Sequence, residues 1–143
     1  MSSNLGSGST GLAQPIDPSL ITYTHVIYAL HSLAVLVGLA GTATVVGSFI
    51  GGLPSIVAVV MNYVRRSAVR GTYLESHFRW QIRTFWFALL WFLVVWAISL
   101  PLLVVFFVGV IPLAVGMIAL AVWIIYRVVR GWLALRDQRP MYV

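Results

Sequence analysis

Two long stretches without a charged residue limit what this chain can fold into more than any other feature. The first covers residues 20–64 and the second covers residues 84–126. A helix that crosses a bilayer needs about 20 apolar residues, so each stretch is long enough for two crossings. The chain is also 61% hydrophobic and only 8% charged, whereas soluble domains are about one quarter charged. We therefore expect an integral membrane protein rather than a water-soluble domain.

The first stretch has to turn once if it forms two spans. Glycine permits a tight turn, so we place the break at residues 38–41 and the spans at residues 21–37 and 42–64. A break at residues 51–54, which include two glycines and a proline, is the alternative. That break would leave one long tilted span and a short half-helix.

The second stretch is divided by a reversal around Gly109. A third span covers residues 84–107, and Pro101 should kink it or end its regular hydrogen bonding because proline lacks the backbone donor. Pro112 fits the first turn of a fourth span, which ends near Tyr126 and continues as a polar helix. The predicted fold is therefore an all-α membrane protein with four transmembrane helices. These helices form two hairpins. An amphipathic, arginine-rich segment at the membrane interface joins the two hairpins.

Arginine positions predict the orientation of these spans. All nine basic residues are arginines, of which five lie in residues 65–83 and four in residues 127–139. Cytoplasmic loops of membrane proteins are enriched in basic residues. Both clusters, and with them both chain termini, should therefore face the cytoplasm across a bacterial inner membrane.

The same boundaries divide the chain into three parts. Residues 1–19 are expected to be a flexible tail, because they are rich in glycine and serine. Residues 20–136 form the four-helix transmembrane domain. Residues 137–143 are a short C-terminal tail, in which we expect residues 138–143 to be frayed.

The charge of the chain indicates lipid rather than nucleic acid as its partner. A net charge of +6 would suggest nucleic acid in a soluble protein, but every arginine lies beside the end of a predicted span. Basic juxtamembrane residues attract anionic phospholipid head groups. We therefore expect contacts with the bilayer and its anionic head groups, and no nucleic-acid partner.

The residue types offer little for enzymatic chemistry. The absence of cysteine excludes disulfides, thiolate chemistry and iron–sulfur clusters. Only three residues are acidic, and Glu75 and His77 point in different directions on a helix. His25 and His31 do not share a helical face, which disfavours a metal site. We predict a non-enzymatic protein without a cofactor or a metal.

The segment between the two stretches, residues 65–83, is the first candidate interaction site. Its run ESHFRWQIR predicts an amphipathic helix that lies at the membrane interface and runs into the third span. Glu75 precedes Arg79 by four positions, the favourable order for an ion pair, and Arg83 lies one turn further on that face. The favoured interpretation is a solvated helix that sets orientation; the alternative is a face that docks a partner protein or lipid. The residues of that face are Glu75, His77, Arg79, Trp80, Gln81 and Arg83.

Polar residues and glycines inside the first two spans form the second candidate site. His31 and Asn62 lie at membrane depth, where polar side chains are functional candidates. For His31, a neutral ring hydrogen-bonded to another helix is favoured over a proton-linked or ligand-binding role. Gly47 and Gly51 have the spacing that lets membrane helices pack closely, and packing within the chain is favoured over a dimer interface.

Three segments also carry a likeness to a known group. The runs PSIVAVVMNYVRR, ESHFRWQIRTFW and YRVVRGWLALRDQRPMY resemble small bacterial four-helix membrane proteins related to the chloroplast inner-envelope protein-import component. In that group a histidine near the start of the third helix precedes an aromatic–Gln–Ile/Leu run, which His77 and residues 80–82 match here. The group commonly has lysine or acidic residues around this segment, where this chain has arginine. The resemblance, over about residues 23–142, implies association with membrane complexes.

These observations predict a small scaffold or accessory subunit that packs against a larger membrane protein. The alternative is a homo-oligomeric transporter or channel component. It would assemble through Gly47 and Gly51, with His31 and Asn62 lining a polar path. A single chain with so few polar groups makes a poor pore, so this alternative requires an oligomer.

Overall fold

A computed structural model describes residues 15–41 and 45–141, with the side chains of residues 41–51 and 106 outside that description. Four helices follow one another: α1 (Pro18–Gly41), α2 (Val45–Val64), α3 (Tyr73–Phe106) and α4 (Val110–Arg136). Within the described residues, the prediction of an all-helical fold with four helices is confirmed. By length and composition, α1, α3 and α4 can each cross a membrane. The apolar part of α2 that the structure describes, Gly52–Val64, is shorter than these three helices.

The break predicted at residues 38–41 falls within the last turn of α1, and residues 42–44 lie outside the described part of the chain. α1 continues through residues 38–41 and ends at Gly41, and α2 begins at Val45. The alternative break at residues 51–54 is wrong, because those residues lie within α2. Glycine costs less in a membrane helix than in water, since lipid offers the backbone no competing hydrogen bonds.

α3 joins the predicted interfacial helix and the third span into one element. It is 34 residues long and so measures about 50 Å, well beyond the roughly 30 Å of hydrocarbon in a bilayer. Its first turns continue the direction of the span rather than forming a separate helix. Residues 65–72 form turns ahead of the predicted helix, and Pro101 lies inside α3 without ending it.

The reversal between α3 and α4 is as tight as predicted. Phe107 has a left-handed backbone conformation (φ 54°), and its N–H donates to the carbonyl of Leu103. Gly109 packs directly on the α3 backbone: a Cβ atom there would overlap Ser99 O and Leu103 N. Pro112 lies in the first turn of α4, where its missing N–H is not needed.

The buried core lies at the end of the bundle where α1 and α3 begin and where α2 and α4 end. α1 packs mainly on α2 and α3 mainly on α4, and α1 also contacts α3 and α4. Among the described residues, α2 contacts α3 but not α4. The core residues come from all four helices and from the α2–α3 turn: Ile27, Tyr28, Ala58, Val69, Leu74, Phe78, Val128 and Leu135.

Beyond this core the helices differ in length. His31 of α1, Thr84 of α3 and Arg127 of α4 line one small cavity and provide a common reference level. From there α1 continues for about 15 Å to Gly41, whereas α3 continues for about 33 Å to Phe106. In the part of α3 beyond Thr84, Ser99 is the only described residue that is buried.

The residues after α4 are ordered rather than frayed, so that expectation is wrong for residues 138–141. The N–H of Arg139 donates to Ala134 O (2.9 Å), and the N–H of Met141 donates to Ser76 Oγ (2.9 Å). The Met141 side chain is buried. The segment therefore folds back onto the first turns of α3.

We predict that Gly109→Ala destabilises the bundle by about 1–3 kcal/mol, because the added methyl group meets backbone atoms that cannot move aside. Gly38→Ala is the matched control, since a Cβ at Gly38 meets nothing within 4 Å. Reversible unfolding in mixed detergent micelles measures both variants. Equal stability of the two variants would contradict the close packing of Gly109.

Candidate functional site: a polar layer inside the bundle

A layer of polar and aromatic side chains crosses the bundle beside the hydrophobic core. It is built on α1, α3 and α4, and most of its members are almost fully buried. Lipid cannot hydrogen-bond to such groups, so they have to find partners within the protein. We call it the polar layer, and its members are Tyr28, His31, His77, Trp80, Gln81, Thr84 and Arg127.

His77 is the centre of the polar layer. Its Nε2 lies 2.8 Å from the carbonyl oxygen of Arg139, and its Nδ1 lies 3.0 Å from the hydroxyl of Tyr28. A carbonyl oxygen only accepts, so Nε2 carries the proton and donates to Arg139. In the neutral ring, Nδ1 then accepts from the Tyr28 hydroxyl. One imidazole thereby links α1, α3 and the segment after α4.

Aromatic rings enclose the His77 imidazole on two sides. Tyr28 and Tyr73 both present an edge to it, with ring centroids 6.0 Å away and interplanar angles of 84° and 83°. The Tyr28 ring also stacks on Trp132. Gly131 leaves room for this arrangement, since a Cβ at Gly131 would collide with the Tyr28 ring and hydroxyl.

Arg127 and Trp80 clamp α4 to α3. The Arg127 guanidinium lies 3.6 Å from the centroid of the Trp80 ring, close enough for a cation–π interaction. Its Nε–H donates to Thr84 Oγ1 (2.7 Å), and the Trp80 indole N–H donates to Arg127 O (3.1 Å). The charge therefore has an aromatic face and a hydroxyl as partners. No carboxylate belongs to the polar layer.

His31 is hydrogen-bonded to another helix, as the favoured interpretation of this residue requires. Its Nδ1 lies 3.2 Å from Ser55 Oγ of α2. Its Nε2 and both amide atoms of Gln81 are buried without a hydrogen-bond partner in the described residues. His31 and Gln81 line a cavity of about 10 Å³, which is about the volume that one water molecule needs.

Asn62 does not join His31 in one polar site. It is fully buried in α2, and neither of its amide atoms has a partner among the described residues. It is absent from the lining of the cavity that His31 borders. Gly47 and Gly51 lie within α2, but their surroundings are outside the described part of the chain.

The predicted docking face of α3 is divided by the fold. Glu75 and Arg79 form the predicted ion pair (3.2 Å) at the surface, and Arg83 is exposed. The other three members, His77, Trp80 and Gln81, are buried in the polar layer. Each of these three residues is one or two positions from an exposed residue in the sequence, but it lies on the side of the helix that the core covers. The prediction that these three side chains belong to a surface for a partner is corrected, because they are buried.

Several members of the site were missed by sequence reasoning. Tyr28 was not among the candidate site residues, and Arg127 was interpreted only as a topology signal. Trp132 donates its indole N–H to His25 Nδ1 (3.0 Å), across a separation of 107 residues. Arg127 directly follows the second charge-free stretch, as Arg83 directly precedes it, so its place in the sequence does not single it out.

The polar layer is suited to holding helices together rather than to acid–base chemistry. Both nitrogens of His77 are engaged, and the three acidic side chains, Asp17, Glu75 and Asp137, lie outside the layer. Asp137 accepts from Arg139 (2.6 Å), and this bond holds the pKa of its carboxyl below the usual range. In the described residues no group of three metal-ligating side chains comes together.

Comparison with known proteins adds no relative. No protein-family model matches the chain, and no curated protein or solved structure matches it either. The resemblance to the chloroplast import component therefore stays a prediction.

We predict that Tyr28→Phe destabilises the bundle by about 1–3 kcal/mol, because it leaves the buried Nδ1 of His77 without a donor. Tyr73→Phe is a close control, since the Tyr73 ring has the same edge contact with His77 and its buried hydroxyl has no partner in the described residues. Removing that hydroxyl should be neutral or stabilising. Unfolding free energies of both variants, measured in the same detergent, test this difference; equal losses would contradict the assigned bond.

Proposed function

We propose that the protein is a non-enzymatic subunit of a larger complex in the bacterial inner membrane, a scaffold or accessory component that packs sideways against another membrane protein. Both arginine clusters would face the cytoplasm. The observation that supports the proposal most is that two tryptophans of α3 lie exposed beyond the polar layer, at the edges of the side that packs on α4.

Trp91 and Trp96 flank the strip of α3 that packs on α4 beyond the polar layer, where Ser99 is buried and Val95 lies against Gly116. With 3.6 residues per turn, Trp91 lies three turns beyond Trp80 on the same side of α3, and Trp96 lies five turns beyond Phe78. Trp80 and Phe78 are buried, with exposures of 8% and 1%, whereas Trp91 and Trp96 are exposed at 52% and 38%. Two positions on the side of α3 that is covered near the core are therefore exposed further along the helix.

The depth of these tryptophans favours a protein partner over lipid alone. Arg83 and Thr84 mark the polar end of the span, and Trp91 and Trp96 lie about 10 and 18 Å further along α3. Both positions fall inside a hydrocarbon layer of about 30 Å. Tryptophans that face lipid are enriched at the two interfaces rather than there. Aromatic side chains are, however, common anchors of protein interfaces.

The exposed remainder of the predicted docking face lies on another side of the helix. Glu75, Arg79, Arg83 and Trp86 follow one another at spacings of three and four, away from the core. We assign to them the contacts with head groups that set orientation. The two surfaces can therefore be separated by mutation.

We predict that Trp91→Ala combined with Trp96→Ala releases the partner. The full chain is purified in native lipid particles, its mass is determined, and stoichiometric co-purifying proteins are identified. Trp86→Ala is the matched control, because Trp86 is exposed to the same extent as Trp91, 52%. A second variant, Arg79→Glu with Arg83→Glu, tests the charged side of α3.

The proposal expects loss of the partner in the Trp91 and Trp96 variant alone. Loss in the arginine variant alone would place the docking surface on the charged side. Retention in every variant, or the absence of a partner, would contradict the proposal. A second copy of this chain as the only bound protein would favour the homo-oligomeric transporter or channel component instead.

A further inference from the structure

A groove lies between α4 and the segment that folds back after it. It has a volume of about 720 Å³ and runs along the outer side of α4 for about three turns. One end is apolar and the other contains two arginines and a tyrosine. The lining residues of α4 are Val122, Ile125, Tyr126, Val129, Arg130, Leu133 and Ala134, and those of the segment are Arg139, Pro140 and Met141.

The polar end of the groove holds two guanidinium groups in defined positions. Arg130 donates to the hydroxyl of Tyr126 (2.7 Å), and its other N–H groups have no partner among the described residues. The backbone of Arg139 is held on both sides, because its N–H donates to Ala134 and its carbonyl accepts from His77. This end is therefore partly built before any ligand arrives.

One carboxylate lies close to this end. Asp137 accepts from Arg139 (2.6 Å) and lies 3.4 Å from the Nε of Arg136. Its charge is thus offset by two arginines, and Arg130 has no acidic partner in the described part of the chain. The polar end of the groove keeps a net positive charge.

The apolar end continues into the surface that faces lipid. Val122 and Ile125 are exposed at 62% and 40%. They lie in the part of the chain that is apolar enough to cross a membrane, Val110–Arg136. A ligand that fits this groove carries an anionic group at one end and a hydrocarbon chain at the other.

We propose that the groove binds one anionic glycerophospholipid. Its phosphate lies between Arg130 and Arg139, and an acyl chain lies along Val122, Ile125 and Val129. Guanidinium groups suit phosphate because they donate two parallel hydrogen bonds. A free phosphate would leave the apolar wall uncovered, so the lipid is the occupant that matches both ends. This site depends on membrane embedding and not on the proposed accessory role.

Native mass spectrometry tests the site with a named probe. The full chain is released from detergent after equilibration with equal amounts of phosphatidylglycerol and phosphatidylcholine of the same chain length. We expect a saturable adduct of one phosphatidylglycerol molecule. Arg130→Gln with Arg139→Gln should weaken it by about tenfold for each arginine lost, the effect of one charge-assisted hydrogen bond.

Arginines outside the groove provide the matched control. Arg66 and Arg70 are exposed in the α2–α3 turn and do not line the groove. Arg66→Gln with Arg70→Gln removes the same charge and should leave the one-to-one adduct intact. Equal losses in the two double variants would show general attraction to a basic surface and would overturn the site.

Two further results decide the identity of the ligand. Added inorganic phosphate at millimolar concentration should not displace the lipid, because it lacks the acyl chain; displacement would overturn the assignment to a lipid. Val129→Asp, which places a charge in the apolar wall, should also abolish the adduct. An adduct that survives this change would contradict the placement of the acyl chain.

Discussion

The hydrogen bonds of one imidazole determine how the parts of this molecule are joined. His77 donates to the backbone of Arg139 and accepts from the hydroxyl of Tyr28, so α1, α3 and the segment after α4 meet at one ring. Buried polar groups cost free energy unless they are paired. The pairing at His77 therefore selects one register among the helices. Apolar packing alone would define that register less strictly.

The contacts between Arg127 and Trp80 likewise define the register between α3 and α4, at the next level of the bundle. A lysine in place of Arg127 would keep the charge but lose the Nε–H that donates to Thr84 and the planar stack on Trp80. Together the two sets of contacts concentrate order at one end of the bundle. At the other end α3 and α4 rely on close backbone contacts, such as Gly109 against Ser99.

Much of the helix layout could be predicted from the sequence, because the signals are local. Long charge-free stretches indicate membrane helices, and Gly109 with Pro112 indicates the reversal between α3 and α4. The end of α1 was predicted less accurately, since glycine fits both membrane helices and turns. The exposed pair of Glu75 and Arg79 was predicted because its partners are one turn apart.

The composition of the site could not be predicted in the same way. Its bonds join residues 49, 62 and 107 positions apart, and no local pattern shows which polar groups meet. His77, Trp80 and Gln81 were assigned to a surface because they alternate with Arg79 and Arg83. Burial depends on which side of α3 the other helices cover, and that side is decided by their contacts with His77 and Arg127.

The return of residues 139–141 to the start of α3 also sets an order of events during synthesis. Ser76 and Met141 are 65 residues apart, which corresponds to about 3–13 s at ribosomal speeds of roughly 5–20 residues per second. During that interval all of α3 can enter the bilayer. Ser76 and the Nε2 of His77 still lack their hydrogen-bond partners at that stage, because Met141 and Arg139 have not yet been synthesised. The imidazole therefore gains its last partner only after α4 has been made, and a nascent chain stalled within α4 would lack that bond at this end of the bundle.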